Sequence, residues 1–199
     1  GISLVIIILM AVMIAYLSVR RRNAATSFLD ILSMIPYIVP GTVAGIALLS
    51  AFNSGIFGSG VLAISATMSI MVVALVIRRL PYTIRSSVAI LSQIPISIEE
   101  AALSLGASKM KTFFRITIPM MASGIISGAI LSWVTMISEL STAILLSTYK
   151  TQTLSVATYT EVIRGNYGVA AALSTILTVL TVISLLIFMK LSKGEDLSI

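Results

Sequence analysis

Seven acidic and thirteen basic side chains are all the ionic chemistry this 199-residue chain offers, and it holds neither cysteine nor histidine. That removes thiol nucleophiles, disulfides and the usual zinc sites. No GxxxxGK[ST] phosphate loop occurs, so any ATP hydrolysis linked to this chain takes place on another polypeptide. No acidic cluster has metal-ligand spacing, and Glu139, alone beyond an apolar run, does not make a metal site. Five charged residues fall together: Glu99, Glu100, Lys109, Lys111 and Arg115, in the segment SIEEAALSLGASKMKTFFRITIP from Ser97 to Pro119. In a chain that is 58% hydrophobic and 10% charged, a polar stretch of this length asks for a reason.

Its spacing predicts helix, glycine turn, helix. Ser97 and Glu100 have capping-box spacing, with the hydroxyl at the N-cap and the carboxylate at N3. Ile98, Ala101, Ala102 and Leu105 recur at i, i+3, i+4 and i+7 on one helix face, shallow because two of the four are alanine. Gly106 stands where a helix C′ residue takes the left-handed conformation. Met110, Phe113 and Phe114 form a second apolar face, and Pro119 marks the next element. Two readings fit: a hairpin resting on lipid headgroups, or a polar surface that fits a groove in a soluble partner. The shallow face and its acidic start suit the groove better.

The elements that must carry this loop are apolar runs. Five approach the about 20 residues that a spanning helix needs: Ile2–Val19, Ile31–Phe52, Val61–Ile77, Met120–Ile137 and Val169–Met189. The chain reads as an integral membrane protein, and a lipid bilayer is its first partner. The net charge of +6 sits mainly at span ends, at Arg20, Arg21, Arg22, Arg78, Arg79, Lys190 and Lys193, which explains it without nucleic acid. If the loops after spans one, three and five share a side, that side holds eleven of the thirteen basic residues and the other only Lys150 and Arg164. The basic side is then cytoplasmic, the N-terminus is outside, and the start at Gly1 predicts a fragment with at least one preceding span. Residues 78–119 form the long cytoplasmic loop, in which Pro81 and Pro95 bracket a short helix; Asn53–Gly60 is a short outer turn. The outer loop Ser138–Gly168 has an apolar middle expected to dip back as a short helix. In span two, Pro36 and Pro40 kink the helix, and Gly41 and Gly45 let another helix approach. Pro36, Pro40, Gly41 and Glu139 are the candidate pathway and gating residues.

Glu100-Ala101-Ala102, three residues, Gly106, nine residues, Ile116, one residue, Ile118-Pro119 resembles the EAA loop of ABC importer permeases, with Ile118 in place of that pattern's leucine. The resemblance implies an all-α membrane protein: a type I ABC importer permease core of about five transmembrane helices, residues 1–199 forming a single permease domain, in a bacterial inner membrane. It implies that Glu100, Ala101, Ala102, Gly106, Ile116, Ile118 and Pro119 belong to a coupling helix docked on a cytoplasmic ABC ATPase. The further partners it implies are a second permease half and an extracellular or periplasmic substrate-binding protein; it implies no cofactor and no enzymatic activity of the chain's own. RRLPYTIRSSVAILSQI from Arg78, PYIVPGTVAGIAL from Pro36 and SELSTAILL from Ser138 look like ferric iron importer permeases; polyamine, thiamine, phosphonate and sulfate permeases share the scaffold. A secondary transporter or channel fits less well, because such proteins place ionisable residues within their spans.

Overall fold

The computed structural model describes residues 1–53, 64 and 67–193, and among these all regular structure is helical. Helix α1 (Ile2–Arg20) is nearly uniform in apolar character and buries Ile7, Ala11 and Ala15, one residue per turn, in the bundle. Helix α2 (Ala24–Ile38) starts at a reciprocal cap, in which Asn23 accepts from the Thr26 amide and the Thr26 hydroxyl accepts from the Asn23 amide, each at 2.8 Å. The chain then turns by 111° into α3 (Gly41–Asn53). The kink expected in span two is therefore a break between two helices. Pro36 stays inside α2, while Pro40, without an amide proton, lies at the break and gives its carbonyl to Ala44 at 3.0 Å.

Helix α4 (Met68–Gln93) is the centre of the fold and packs against α1, α2 and the later helix α8. Of the expected span Val61–Ile77, residues 61–63, 65 and 66 lie outside the described residues, as do residues 54–60 of the outer turn. Two corrections concern α4. Pro81 is in the helix interior rather than at an end, and Arg78–Gln93 is not a separate short helix but continues the helix that begins at Met68. Packing overrides the proline: Leu80, Ile84 and Leu91 keep helical spacing and are buried against α1. At 26 residues, α4 is about 39 Å long, more than the about 30 Å hydrocarbon core.

Helix α5 (Ile96–Ser104) follows, then a continuous helical stretch made of α6 (Lys109–Thr112), a wider π turn (Phe113–Thr117) and α7 (Ile118–Met120). The Ile118 amide reaches back five residues to the Phe113 carbonyl, and this looser winding precedes Pro119, whose nitrogen has no proton to give. A 64° bend at Met121 leads into α8 (Ala122–Ile137). Two glycines set the closeness of α8 to α4. A Cβ on Gly128 would stand 2.6 Å from the Thr83 Cα, and one on Gly124 would stand 2.8 Å from the Ser86 carbonyl oxygen. The Thr83 and Ser132 hydroxyls bond across the same seam at 2.9 Å. The loop after α8 holds α9 (Ala143–Leu146), seated on Ile70, Met71 and Ala74 of α4, and α10 (Leu154–Ile163). Helix α11 (Tyr167–Lys193) packs on α10 and α8 and leaves its most apolar window wholly unburied. Among the described residues α1 and α11 are each long and apolar enough to span a membrane alone, and α2–α3 and the Lys109–Met120 stretch with α8 reach that length and apolarity only as bent pairs.

Candidate functional site

At one end of the bundle α5 stands almost clear of the other helices. Its N-cap is Pro95 and no side chain caps it, so the Ser97–Glu100 capping box does not form. Pro95, at φ −60°, is the N-cap two residues before Ser97, which puts the hydroxyl inside the first turn and out of cap position. The expected face is split: Ala101 is exposed and Leu105 is 89% exposed, whereas Ile98 is half-buried and Ala102 is buried, and of the two glutamates Glu99 is buried and Glu100 exposed. Gly106 has φ +87°, and its amide bonds to the Leu103 carbonyl while the Ala107 amide bonds to the Ala102 carbonyl, each at 3.0 Å. This pair of bonds is a Schellman closure, and the positive φ is what glycine permits. Nothing lies within 4 Å of a Cβ built on Gly106. Ser108 then caps α6 through the Lys111 amide at 3.3 Å. Of the second predicted face, Phe113 packs edge-on against Tyr16 of α1 with centroids 4.8 Å apart, while Met110 and Phe114 are exposed. Ile116 is half-buried, Ile118 packs against the Val12, Leu91 and Met121 cluster, and Pro119 is exposed.

The second cluster lies deep in the bundle, and two of the four pathway candidates meet there. Glu139, just beyond α8, is 6% exposed and therefore not the solvated helix-end carboxylate its position suggests. Its Oε1 accepts from Arg78 Nη1 at 3.2 Å and from the Thr142 amide at 3.1 Å, and its Oε2 is paired with Arg79. The Thr142 hydroxyl accepts from Arg78 and donates to the Gly41 carbonyl at 3.0 Å. Gly41 is needed for closeness, since a Cβ there would stand 2.6 Å from the Ser141 Cβ. Gly45 packs one turn further along on Leu145, so the element that approaches the Gly41/Gly45 face is the α9 segment. Pro40 borders the cluster through Gly41, whereas Pro36 lines a different, apolar cavity of about 340 Å³ with Met10, Leu29 and Leu32.

Arg78, Arg79 and Thr142 are functional candidates that sequence reasoning missed. As loop residues at a span end the arginines need no partner; they are in fact half-buried within α4, and their partner sits beyond α8. The one signal was the lone acid after span four, because a buried carboxylate needs a cation. Glu99 was likewise missed beside Glu100. It is ion-paired with Arg20 at 2.8 Å, which places the end of α1 at the same end of the bundle as α5. The Gly124/Gly128 pair, with small-xxx-small spacing, was also legible and passed over.

Residues 4–194 match the family model of the binding-protein-dependent transport system inner membrane component. The chain is 33% identical over 191 residues to the ferric transport system permease protein FbpB of Actinobacillus pleuropneumoniae, covering 94% of this chain and 27% of that protein. It is 32% identical over 187 residues to the molybdate/tungstate transport system permease protein WtpB of Pyrococcus abyssi, covering 92% of this chain and 69% of that one. The chain thus spans about a quarter of the ferric relatives' length. Among solved structures, its fold matches a chain of the MetNI methionine ABC transporter in an inward-facing conformation, with TM-score 0.75 at 17% identity, covering 98% of this chain and 88% of that one. A chain of the bacterial alginate ABC transporter, in complex with an alginate-bound periplasmic protein, matches with TM-score 0.75 at 17% identity, covering 94% and 71%.

Proposed function

This chain belongs to the family of binding-protein-dependent transport system inner membrane components, and from that premise we propose that it is the permease subunit of an ATP-driven importer, joined through α5 to a separate ATPase chain. The observation that carries the reading is α5 itself. It is a short helix that turns Glu100 and Ala101 outward and closes on Gly106 at φ +87°, held at one end of an apolar bundle. An exposed helix with a shallow, partly acidic face suits a groove in a soluble subunit. The chain is the transport component and not the enzyme. Glu100, Ala101 and Gly106 are the docking residues, and buried Ala102 seats the helix behind them. Ile116, Ile118 and Pro119 set the bend by which the chain returns to the membrane. The end that carries α5, Arg20 and Lys109 is the cytoplasmic one. A second permease half and a substrate-binding protein complete the importer.

The cargo we propose is ferric iron, on the similarity to FbpB of A. pleuropneumoniae. A second reading, an oxyanion, is favoured by the charge of the buried cluster. Two guanidiniums face one carboxylate, and the Nε of each arginine is buried without a hydrogen-bond partner. A bare cation meets net repulsion there. The similarity to WtpB and to sulfate permeases points the same way. The test is uptake by the complete transporter of labelled ferric iron, molybdate and sulfate, each with the ATPase present and absent. ATP-dependent accumulation of iron alone supports the first reading, and accumulation of an oxyanion alone supports the second. No ATP dependence for any substrate overturns the importer reading.

A further inference from the structure

Of the two adjacent glutamates of α5, one faces the bundle and the other faces away from it. Neighbouring residues on a helix are about 100° apart around the axis, so one of the pair can point at a partner while the other points at the bundle. Glu100 is the exposed one. Glu99 is buried: its Oε1 accepts from Arg20 Nε at 2.8 Å, and its Oε2 accepts from the Tyr16 hydroxyl at 3.4 Å. Arg20 also donates through Nη2 to the Ile94 carbonyl at 2.9 Å, the residue between α4 and Pro95. A single guanidinium at the end of α1 therefore holds both the strand of chain leading into α5 and the helix's own inward side chain.

We propose that the Arg20–Glu99 ion pair is the joint through which displacement of α5 reaches α1, which makes Glu99 a positioning residue for coupled transport. The proposal rests on the reading of α5 as the ATPase-docking element. Apolar packing by α5 itself is slight, because Ala102 is its one buried apolar residue and Ile98 is half-buried; Ile94 and Phe113, which pack on α1, lie outside the helix. Short connections flank the helix on both sides, Ile94–Pro95 and Leu105–Ser108, and without the ion pair a push on α5 is absorbed by rotation about them. With it, the push reaches Arg20 and Tyr16. From there α1 transmits along its packed face, where Ile7 and Ala11 meet Leu80 and Ile84 of α4, to the helix that carries Arg78 and Arg79. Both partners are largely withdrawn from solvent, with side-chain exposures of 9% and 11%, so bulk salt screens the pair little.

The experiment uses the complete transporter with its ATPase and binding protein, and it reads three quantities at equal membrane abundance: ATPase retained on the permease, ATP hydrolysed, and substrate moved per ATP. Glu99→Gln keeps the side-chain size and removes the charge. It should leave the ATPase bound and hydrolysing while substrate per ATP falls about tenfold, the size of an ordinary coupling energy between two sites. The exchange Arg20→Glu with Glu99→Arg should restore at least half of the parental ratio, which loss of a merely structural contact would not predict. A Glu99→Gln transporter with the parental ratio overturns the joint, and so does an exchanged pair that stays uncoupled. If Glu99→Gln fails to reach the membrane, the exchanged pair decides by the same criterion. A parental chain that retains no ATPase overturns the underlying docking reading instead, and is told apart by the pull-down.

Discussion

Gly106 and Glu139 show how differently a single residue can be constrained. Gly106 is held by backbone conformation alone, with φ +87° and open space where a Cβ would stand. Gly106→Val should therefore cost about 1–2 kcal/mol locally and leave the spans inserted. Membrane abundance should match the parent, while uptake and retention of the ATPase fall, measured together on the same membranes. Glu139 is held by charge. Removing it leaves the half-buried Arg78 and Arg79 without their counterion, a loss somewhat below the about 3–5 kcal/mol of deleting one partner of a fully buried pair. Glu139→Gln should thus lower the unfolding temperature of the purified protein and its membrane abundance, beyond any effect on transport rate. A variant with parental stability and slower uptake would instead place the carboxylate on the transport path as a free charge.

At the scale of elements, the α4–α8 seam is the part most sensitive to volume. A side chain on Gly128 meets the Thr83 backbone rather than the end of a flexible side chain. Gly128→Val should cost about 1–3 kcal/mol by overpacking, read as a drop in thermal stability in detergent, with α5 still able to bind the ATPase. Exposed Ser127, one residue away, should tolerate alanine with a change in thermal stability within about 0.5 kcal/mol. The helices flanking this seam were legible in the sequence because apolar runs of spanning length announce themselves. Their ends were not. Pro81 signalled a stop that buried neighbours override, and Ser97 signalled a cap that Pro95 pre-empts by capping the helix two residues earlier.

For the whole molecule the open quantity is its sense in the membrane. Arg20 and Glu99 tie the end of α1 to α5, and the surplus of basic residues around that end predicts that it faces the cytoplasm. The chain lacks cysteine, so single Lys109→Cys and Lys150→Cys variants give a clean reading; both lysines are exposed. An impermeant thiol reagent on intact cells should label position 150, and position 109 only after permeabilisation. The reverse pattern would invert the topology and remove α5 from reach of a cytoplasmic ATPase.

Hydrophobicity along the chain determined that this protein is helical and spans a membrane, because burial in lipid is decided by local composition and every backbone group must be satisfied within its own segment. The spacing of Glu100, Ala101, Ala102 and Gly106 likewise determined a helix that closes on a left-handed glycine, since φ preferences are local. Only the tertiary structure decided which charges are free. Arg78 and Arg79 are 61 and 60 residues from Glu139, and Arg20 is 79 from Glu99. Nothing local distinguishes an arginine that anchors a span end from one that neutralises a distant carboxylate. That choice is made by which helices pack together, and the packing in turn rests on Gly41, Gly124 and Gly128 leaving room for it.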